Sequence, residues 1–148
     1  MTYRIATLNE IDTLVELRKK QLIDEGISPA EDTTEEMHKF FEKKMSDGTM
    51  VEWVVEDDHK IIATSAIVFY EFPPSFTNKS GIKGYITNMY TAPEYRGQGI
   101  ASSLLDKLIG EAKERNVHKL WLGASEMGRP VYLKYGFEEK NIWLDLHI

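Results

Sequence analysis

The chain has 148 residues, 42% of them hydrophobic and 28% charged, with a formal net charge of -6 and no cysteine. This length and composition are typical of one globular domain with a sizeable core, so we predict that residues 1–148 form a single domain. The acidic balance argues against nucleic acid as a partner, because neutralising phosphates takes clustered Lys and Arg, and the missing cysteine excludes disulfides and a cysteine nucleophile.

The first half of the chain predicts a strand, two helices and a hairpin. A short alternating strand is followed by two runs with helical apolar spacing, which end at Gly26 and at Asp47-Gly48. Two strands rich in β-branched residues, joined by a tight turn, come next. The predicted elements are the strand 3–6, the helices that begin near Thr7 and Thr33, and the strands 50–56 and 61–70.

The second half predicts a long loop and then alternating strands and helices. The loop 71–84 holds Pro73-Pro74 and is long enough to indicate a role in binding. The order β-α-α-β-β-β-α-β-α-β indicates one mixed α/β domain. After the loop, the predicted elements are strand 85–90, a helix from about Gly99 to Asn116, strand 119–124, helix 130–135 and a final alternating strand 143–147.

A glycine-rich turn joins strand 85–90 to the helix that follows it. Gly97 and Gly99 allow the backbone to turn sharply, because glycine tolerates positive φ. The turn leads into a helix N-terminus, whose unpaired N–H groups and dipole favour an anion. A strand, a glycine-rich turn and a helix in this order are typical of a pyrophosphate site.

Two common phosphate loops fit this turn poorly. A P-loop needs Gly-Lys-Ser/Thr, and here Ile100 follows Gly99. The dinucleotide fingerprint Gly-x-Gly-x-x-Gly/Ala is matched at two of its three positions and then has Ser102, although Glu126 lies where a ribose contact is expected. A nicotinamide-dependent oxidoreductase is therefore the weaker alternative.

Two motifs point to a different cofactor. Arg96-x-x-Gly99-x-Ala101 matches the Arg/Gln-x-x-Gly-x-Gly/Ala signature of the GNAT superfamily of N-acetyltransferases, and the segment 132–137 resembles its Tyr-x-x-x-Gly-Phe element. The chain resembles this family strongly over residues 85–137 and loosely before them. The resemblance implies an α/β (α+β) fold with a single mixed, mostly antiparallel twisted sheet flanked by helices.

The resemblance also implies a reaction and most of its residues. It implies transfer of an acetyl group from acetyl-CoA to a primary amine of a small molecule or peptide by direct attack, without a metal. Tyr132 takes the position of the general acid, with Tyr135 as its rival, and Ser125 stands where many relatives carry an Asn that contacts pantetheine. The residues expected to bind acetyl-CoA are Met89, Tyr90, Thr91, Arg96, Gly97, Gln98, Gly99, Ile100, Ala101 and Ser125.

The acceptor side of the site is less determined. No acidic residue lies on strand 85–90, so the base is Glu71, Asp24, Glu25 or a chain of water molecules. We assign Glu71, Tyr70 and Glu25 to the acceptor. The aromatic residues at the start of the long loop either close over the acceptor or belong to the core or to a homodimer surface.

Location and alternatives complete these expectations. The chain has no apolar run of signal-peptide or membrane-spanning length, so we expect a cytoplasmic protein without membrane contact. Its four histidines do not cluster, and we expect no metal. Because fold does not fix function, a CoA-binding sensor or interaction module without turnover is the alternative.

Overall fold

A five-stranded sheet in the order β1-β2-β3-β4-β5 is the centre of the computed structural model, which describes residues 1–148. Neighbouring strands are antiparallel except for β4 and β5, which are parallel. The predicted mixed, mostly antiparallel sheet is therefore confirmed. The strands are β1 Thr2–Ile5, β2 Met50–Asp57, β3 Lys60–Glu71, β4 Ile82–Thr91 and β5 Leu120–Leu122.

Four helices cover the two faces of the sheet. They are α1 Ile11–Asp24, α2 Thr34–Ser46, α3 Ile100–Glu114 and α4 Arg129–Tyr135. Alternation along β3 supplies both layers: Val68 packs with α1 and α2, whereas the preceding Ile67 packs with Leu105 and Leu108 of α3. No helix is long and apolar enough to cross a membrane.

A bulge bends β4 at Asn88. The register moves from Ala66 opposite Thr87 to Thr64 opposite Tyr90, so β4 carries one extra residue. Asn88 takes that place with φ 56°, a left-handed conformation that Asn tolerates better than most residues. The bulge lies at the part of β4 that leads into the glycine-rich turn.

Buried polar groups hold the bulge in place. The Thr64 hydroxyl donates to the Asn88 carbonyl oxygen at 2.7 Å, and the Arg18 guanidinium donates to Asn88 Oδ1 at 2.7 Å. Asn88 Nδ2 donates to Glu52 Oε2 at 3.3 Å. Because Asn88 and Glu52 are both buried, breaking this network would leave polar groups without water or partners.

The C-terminal strand predicted at 143–147 is wrong, because residues 136–148 form neither helix nor strand. The alternating pattern is present, but alternation becomes a strand only beside a partner edge. Phe137 packs against Tyr132 and Tyr135, and Arg129 pairs with Glu139, so the chain is held on α4 before the segment begins. Two other bounds also differ: the predicted loop shortens to 72–81, and β5 is shorter than predicted.

The pH dependence of stability tests the buried network. Burial raises the pKa of Glu52 well above its ordinary value, which outweighs the opposing effects of the Asn88 hydrogen bond and the Arg18 charge. The folded chain then keeps a proton that the unfolded chain releases. The stability that depends on the protonated Glu52 is therefore present below the unfolded pKa of this group and is lost as pH rises. As pH rises above about 5, where an unfolded Glu has released its proton, we expect Glu52→Gln to remove a fall of up to about 1.4 kcal/mol per pH unit in the free energy of unfolding.

Urea unfolding across that pH range measures the effect, with Glu71→Gln as a control for the loss of an exposed carboxylate. Glu10 affects stability in a different pH range. The hydrogen bond from Arg4 lowers the pKa of Glu10 to about 2, so the stability that this carboxylate contributes is lost only under acid conditions. If the free energy of unfolding changed with pH at the same slope in wild type and in Glu52→Gln, Glu52 would not be held neutral in the folded chain.

Candidate functional site

A cavity of about 380 Å³ lies between β4, the start of α3, α4 and the end of α1. It exists because β5 pairs with β4 only at Gly84, Tyr85 and Ile86, which leaves residues 87–91 without a neighbouring strand on that side. The cavity brings together most of the predicted site residues: Glu25, Met89, Tyr90, Thr91, Arg96, Gly97, Gly99, Ile100, Ala101, Ser125 and Tyr132. Gln98 does not line it.

The glycine-rich turn is open toward this cavity. Gly97 and Gly99 have φ 78° and 80°, and a Cβ built on either would meet no atom within 4 Å. The backbone N–H groups of residues 97–99 have no acceptor within the chain, and those of the first turn of α3 lack intrahelical partners. A pyrophosphate fits this turn, because the free donors face space that only glycine leaves empty.

Arg96 lines the cavity, and its side chain also braces the turn. Its Nε donates to the Thr91 carbonyl oxygen at 2.8 Å, and Nη2 pairs with Asp24 Oδ2 at 2.9 Å. Its own backbone N–H donates to the Pro93 carbonyl at 3.3 Å. These contacts tie the end of β4 to α1, and they engage Asp24, one of the candidate bases.

Tyr132 lines the cavity, and its hydroxyl has no hydrogen-bond partner in the chain. Burial, with a smaller effect of the Glu25 charge, raises its pKa to about 12, so the phenol stays protonated at neutral pH. The ring rests on Gly128, where a Cβ would lie 2.9 Å from Tyr132 Cε2. Ser125 Oγ accepts from the Gly128 N–H at 3.1 Å and fixes this loop.

Tyr135 is engaged elsewhere. Its hydroxyl donates to Asp106 Oδ1 at 2.5 Å. Burial, together with that hydrogen bond, raises its pKa to about 12. It does not line the cavity. Of the two tyrosines, only Tyr132 therefore lines the cavity.

Gln21 of α1 and Glu25, the residue just after α1, form a polar rim of the cavity, and the sequence predicted only Glu25 as a site residue. Gln21 is 7% exposed, and its Oε1 is buried without a hydrogen-bond partner. Its Nε2 donates to Glu25 Oε1 at 3.1 Å. The sequence analysis did not include Gln21 among the site residues, because a Gln within a helix is usually a surface residue. The spacing of four residues between Gln21 and Glu25 is the one feature of the sequence that indicates their contact.

A second cavity of about 320 Å³ lies beside the bulge, between α1, α2 and the sheet. Arg18, Phe40, Tyr70, Tyr85 and Asn88 are among its lining residues. It receives Tyr70, one of the residues assigned to the acceptor. Glu71 lines neither cavity and is exposed at the end of β3, so the structure does not bring it to the site.

The family model described as the acetyltransferase (GNAT) family matches residues 12–137. The chain is 54% identical to a predicted acetyltransferase from Clostridium acetobutylicum whose crystal structure contains acetyl-CoA; the match covers 99% of this chain and 95% of that one, with a TM-score of 0.97. A GCN5-related N-acetyltransferase from Ralstonia eutropha shares the fold with a TM-score of 0.87 at 22% identity, covering 99% and 97% of the two chains.

Curated relatives match over shorter stretches and differ in acceptor. A glucosamine 6-phosphate N-acetyltransferase of Trypanosoma brucei brucei is 33% identical over 49% of this chain, and the chain spans 51% of its length. A ribosomal protein bS18-alanine N-acetyltransferase of Haemophilus influenzae is 42% identical over 37% of this chain, with 39% of that protein covered. With a family model that covers most of the chain and a full-length relative of the same fold, this protein belongs to the GNAT acetyltransferase family.

Proposed function

We propose that this protein transfers an acetyl group from acetyl-CoA to a primary amine of a small molecule or peptide by direct attack of the amine. One observation carries the proposal: Tyr132, whose hydroxyl has no partner in the chain, lines the same cavity as the open Gly97–Ala101 turn. The presence of acetyl-CoA in the related Clostridium structure supports the choice of donor.

Backbone groups provide most of the donor's site in this proposal. The pyrophosphate lies against the N–H groups of residues 97–101, to which Gln98 contributes its backbone alone. The pantetheine arm lies along the free edge of β4, at Met89, Tyr90 and Thr91, and pairs with it as an added strand would. Ser125 has accepted one hydrogen bond, and its hydroxyl proton can still be donated to a pantetheine carbonyl.

Side chains supply the two proton transfers. Glu25, held by Gln21 at the rim of the cavity, takes the proton of the attacking amine, directly or through a water molecule. As the C–N bond forms and the C–S bond breaks, Tyr132 donates a hydrogen bond to the departing sulfur and supplies its proton. Water then returns a proton to Tyr132, and Glu25 releases the one it accepted.

The acceptor occupies the second cavity in this proposal. Arg18, Gln21 and Glu25 follow one another at helical spacing along α1 and just past its end. Arg18 lines the second cavity, and Gln21 and Glu25 line the first. An amine that extends from the second cavity toward the first meets Gln21 and Glu25, whose side chains line the first cavity. The aromatic rings of Phe40, Tyr70 and Tyr85 would then contact the rest of the acceptor.

Thiol release from acetyl-CoA over a panel of amino acids, peptides, polyamines and amino sugars tests the function. With the best acceptor, Tyr132→Phe should lower kcat at least about tenfold while leaving acetyl-CoA affinity unchanged, because only the proton donor is lost. Tyr135→Phe is the matched control and should keep full activity. Tight acetyl-CoA binding without release for any amine would instead indicate a sensor, and equal activity of Tyr132→Phe and wild type would exclude Tyr132 as the acid.

The base is tested by comparing two of the candidate carboxylates. Glu25→Gln keeps a side chain that can contact Gln21 but cannot take a proton, so kcat/KM should fall at least about tenfold below neutral pH, where most of the amine is protonated. Glu71→Gln removes an equal charge outside both cavities and should leave kcat/KM unchanged. The pH profile of kcat/KM measures both, and a larger loss in Glu71→Gln would reverse the assignment.

A further inference from the structure

The second cavity is lined by a single basic side chain, Arg18, whose charge has no carboxylate beside it. Arg18 Nη1 donates to Asn88 Oδ1 at 2.7 Å, and its Nε and Nη2 have no acceptor in the chain. None of the ion pairs of the chain includes Arg18. Burial raises the pKa of Glu52, the acid group next to Asn88, and so favours its neutral form. The guanidinium therefore keeps free donors and an uncompensated charge.

A half-buried guanidinium of this kind suits a carboxylate. The N–H groups on one edge of an Arg side chain are parallel and match the two oxygens of a carboxylate. A charge that is partly removed from water needs such a partner. Glu36 also lines the cavity but is exposed and forms no ion pair with Arg18. An anionic group on a ligand is the partner that the cavity lacks.

The rest of the lining is mostly apolar and aromatic. The ring centroids of Tyr70 and Tyr85 lie 6.5 Å apart, and Phe40 lines the same cavity. The volume of about 320 Å³ is near the lower end of the usual range for ligand cavities, roughly 300–1,000 Å³, so it suits one small molecule. Apolar walls favour an apolar group over the hydroxyl groups of a sugar. The remaining apolar lining residues are Met37, Phe41 and Val68.

Arg18 also lies close to the part of β4 that borders the first cavity. Asn88 accepts its hydrogen bond, and the next two residues, Met89 and Tyr90, line the first cavity, where the pantetheine arm lies in the proposed reaction. A carboxylate on Arg18 would therefore be near the attacking amine. In an α-amino acid, the carboxylate, the amine and the side chain are attached to the same carbon, so this class of molecule brings all three groups to the required places.

We propose that the acceptor is a free α-amino acid with an aromatic or large apolar side chain, and that Arg18 binds its carboxylate. This inference rests on the proposed transfer to an amine and names the class of that amine. The amine nitrogen bonds to the acetyl carbon as the C–S bond breaks, so the ammonium form of the amino acid and acetyl-CoA give the N-acetylamino acid, CoA thiol and one proton. A peptide N-terminus has no carboxylate on that carbon and is a poor acceptor.

Acetylation of phenylalanine and phenethylamine, which differ only in the carboxylate, tests the role of Arg18. Wild type should have the larger kcat/KM for phenylalanine, and Arg18→Gln should reduce the ratio of the two values at least about tenfold, because a hydrogen-bonded charge pair is lost. The ratio cancels a general loss of activity in the variant. Lys19→Gln removes a neighbouring charge that pairs with Glu16 outside both cavities, and it should keep the wild-type ratio.

A preference of wild type for phenethylamine or for glucosamine 6-phosphate over every α-amino acid would overturn the inference and leave the proposed reaction intact. An unchanged ratio in a folded Arg18→Gln variant would overturn it as well.

Phe40→Ala keeps the test valid if Arg18→Gln does not fold, since Phe40 is 40% exposed and outside the buried network. The ratio of kcat/KM for phenylalanine over that for alanine should fall about twofold to tenfold, the range of one aromatic contact. Phe76→Ala removes a fully exposed ring outside both cavities and should keep the wild-type ratio. Equal ratios in Phe40→Ala and wild type would overturn the placement of the side chain.

Calorimetric titration of the CoA-saturated protein with phenylalanine separates this inference from the proposed reaction. Wild type should bind the amino acid, and Arg18→Gln should bind it at least about tenfold more weakly. Binding of this kind without thiol release from acetyl-CoA would support the amino acid site and contradict the reaction. Neither binding nor acetylation of any α-amino acid would overturn the inference.

Discussion

The hydrogen bonds that hold Asn88 in a left-handed conformation are the constraint on which the rest of the site depends. They fix an extra residue in β4, and β4 then continues past the last pair it makes with β5. A regular strand would stay paired and leave no room for a ligand. This arrangement also places an acid group in the core, because the buried Glu52 accepts the hydrogen bond that Asn88 donates. Strain and buried polarity of this kind persist where they serve a function.

The features that depend on local sequence could be predicted, and those that depend on distant neighbours could not. Gly97, Gly99 and Tyr132 belong to short motifs whose geometry is set within a few residues, and all three line one cavity. Glu52 takes its importance from its contact with Asn88 across the fold, which spacing along the chain does not reveal. Asn88 lies between these cases, because an Asn inside a strand pattern is a recognisable sign of a bulge.

The two corrections have the same cause. The final strand was expected from its alternation, but a strand needs an edge to pair with, and α4 directs this segment away from the sheet of its own chain. Glu71 was assigned to the acceptor because it starts a long loop, yet β3 extends through it and leaves it exposed outside both cavities. In both cases the sequence pattern is present, but the role of the segment or residue depends on contacts with parts of the chain that the pattern does not include.

The proposed donor and acceptor sides of the site consist of different kinds of groups, and this difference explains why the sequence indicates the donor but not the acceptor. Backbone groups and glycines form the proposed donor side, so it follows from the fold. Side chains of α1, α2 and the sheet form the proposed acceptor side, and the relatives of this chain act on amines as different as a sugar phosphate and a protein alanine. Calorimetric titration with acetyl-CoA tests the central claim most directly: wild type and Gly48→Val should bind, and Gly99→Val should not. Gly48 and Gly99 have φ angles of 77° and 80°, and a Cβ on either would meet no atom within 4 Å. The two substitutions therefore strain the backbone alike, but only Gly99→Val fills the glycine-rich turn. Equal affinity of Gly99→Val and wild type would contradict the account.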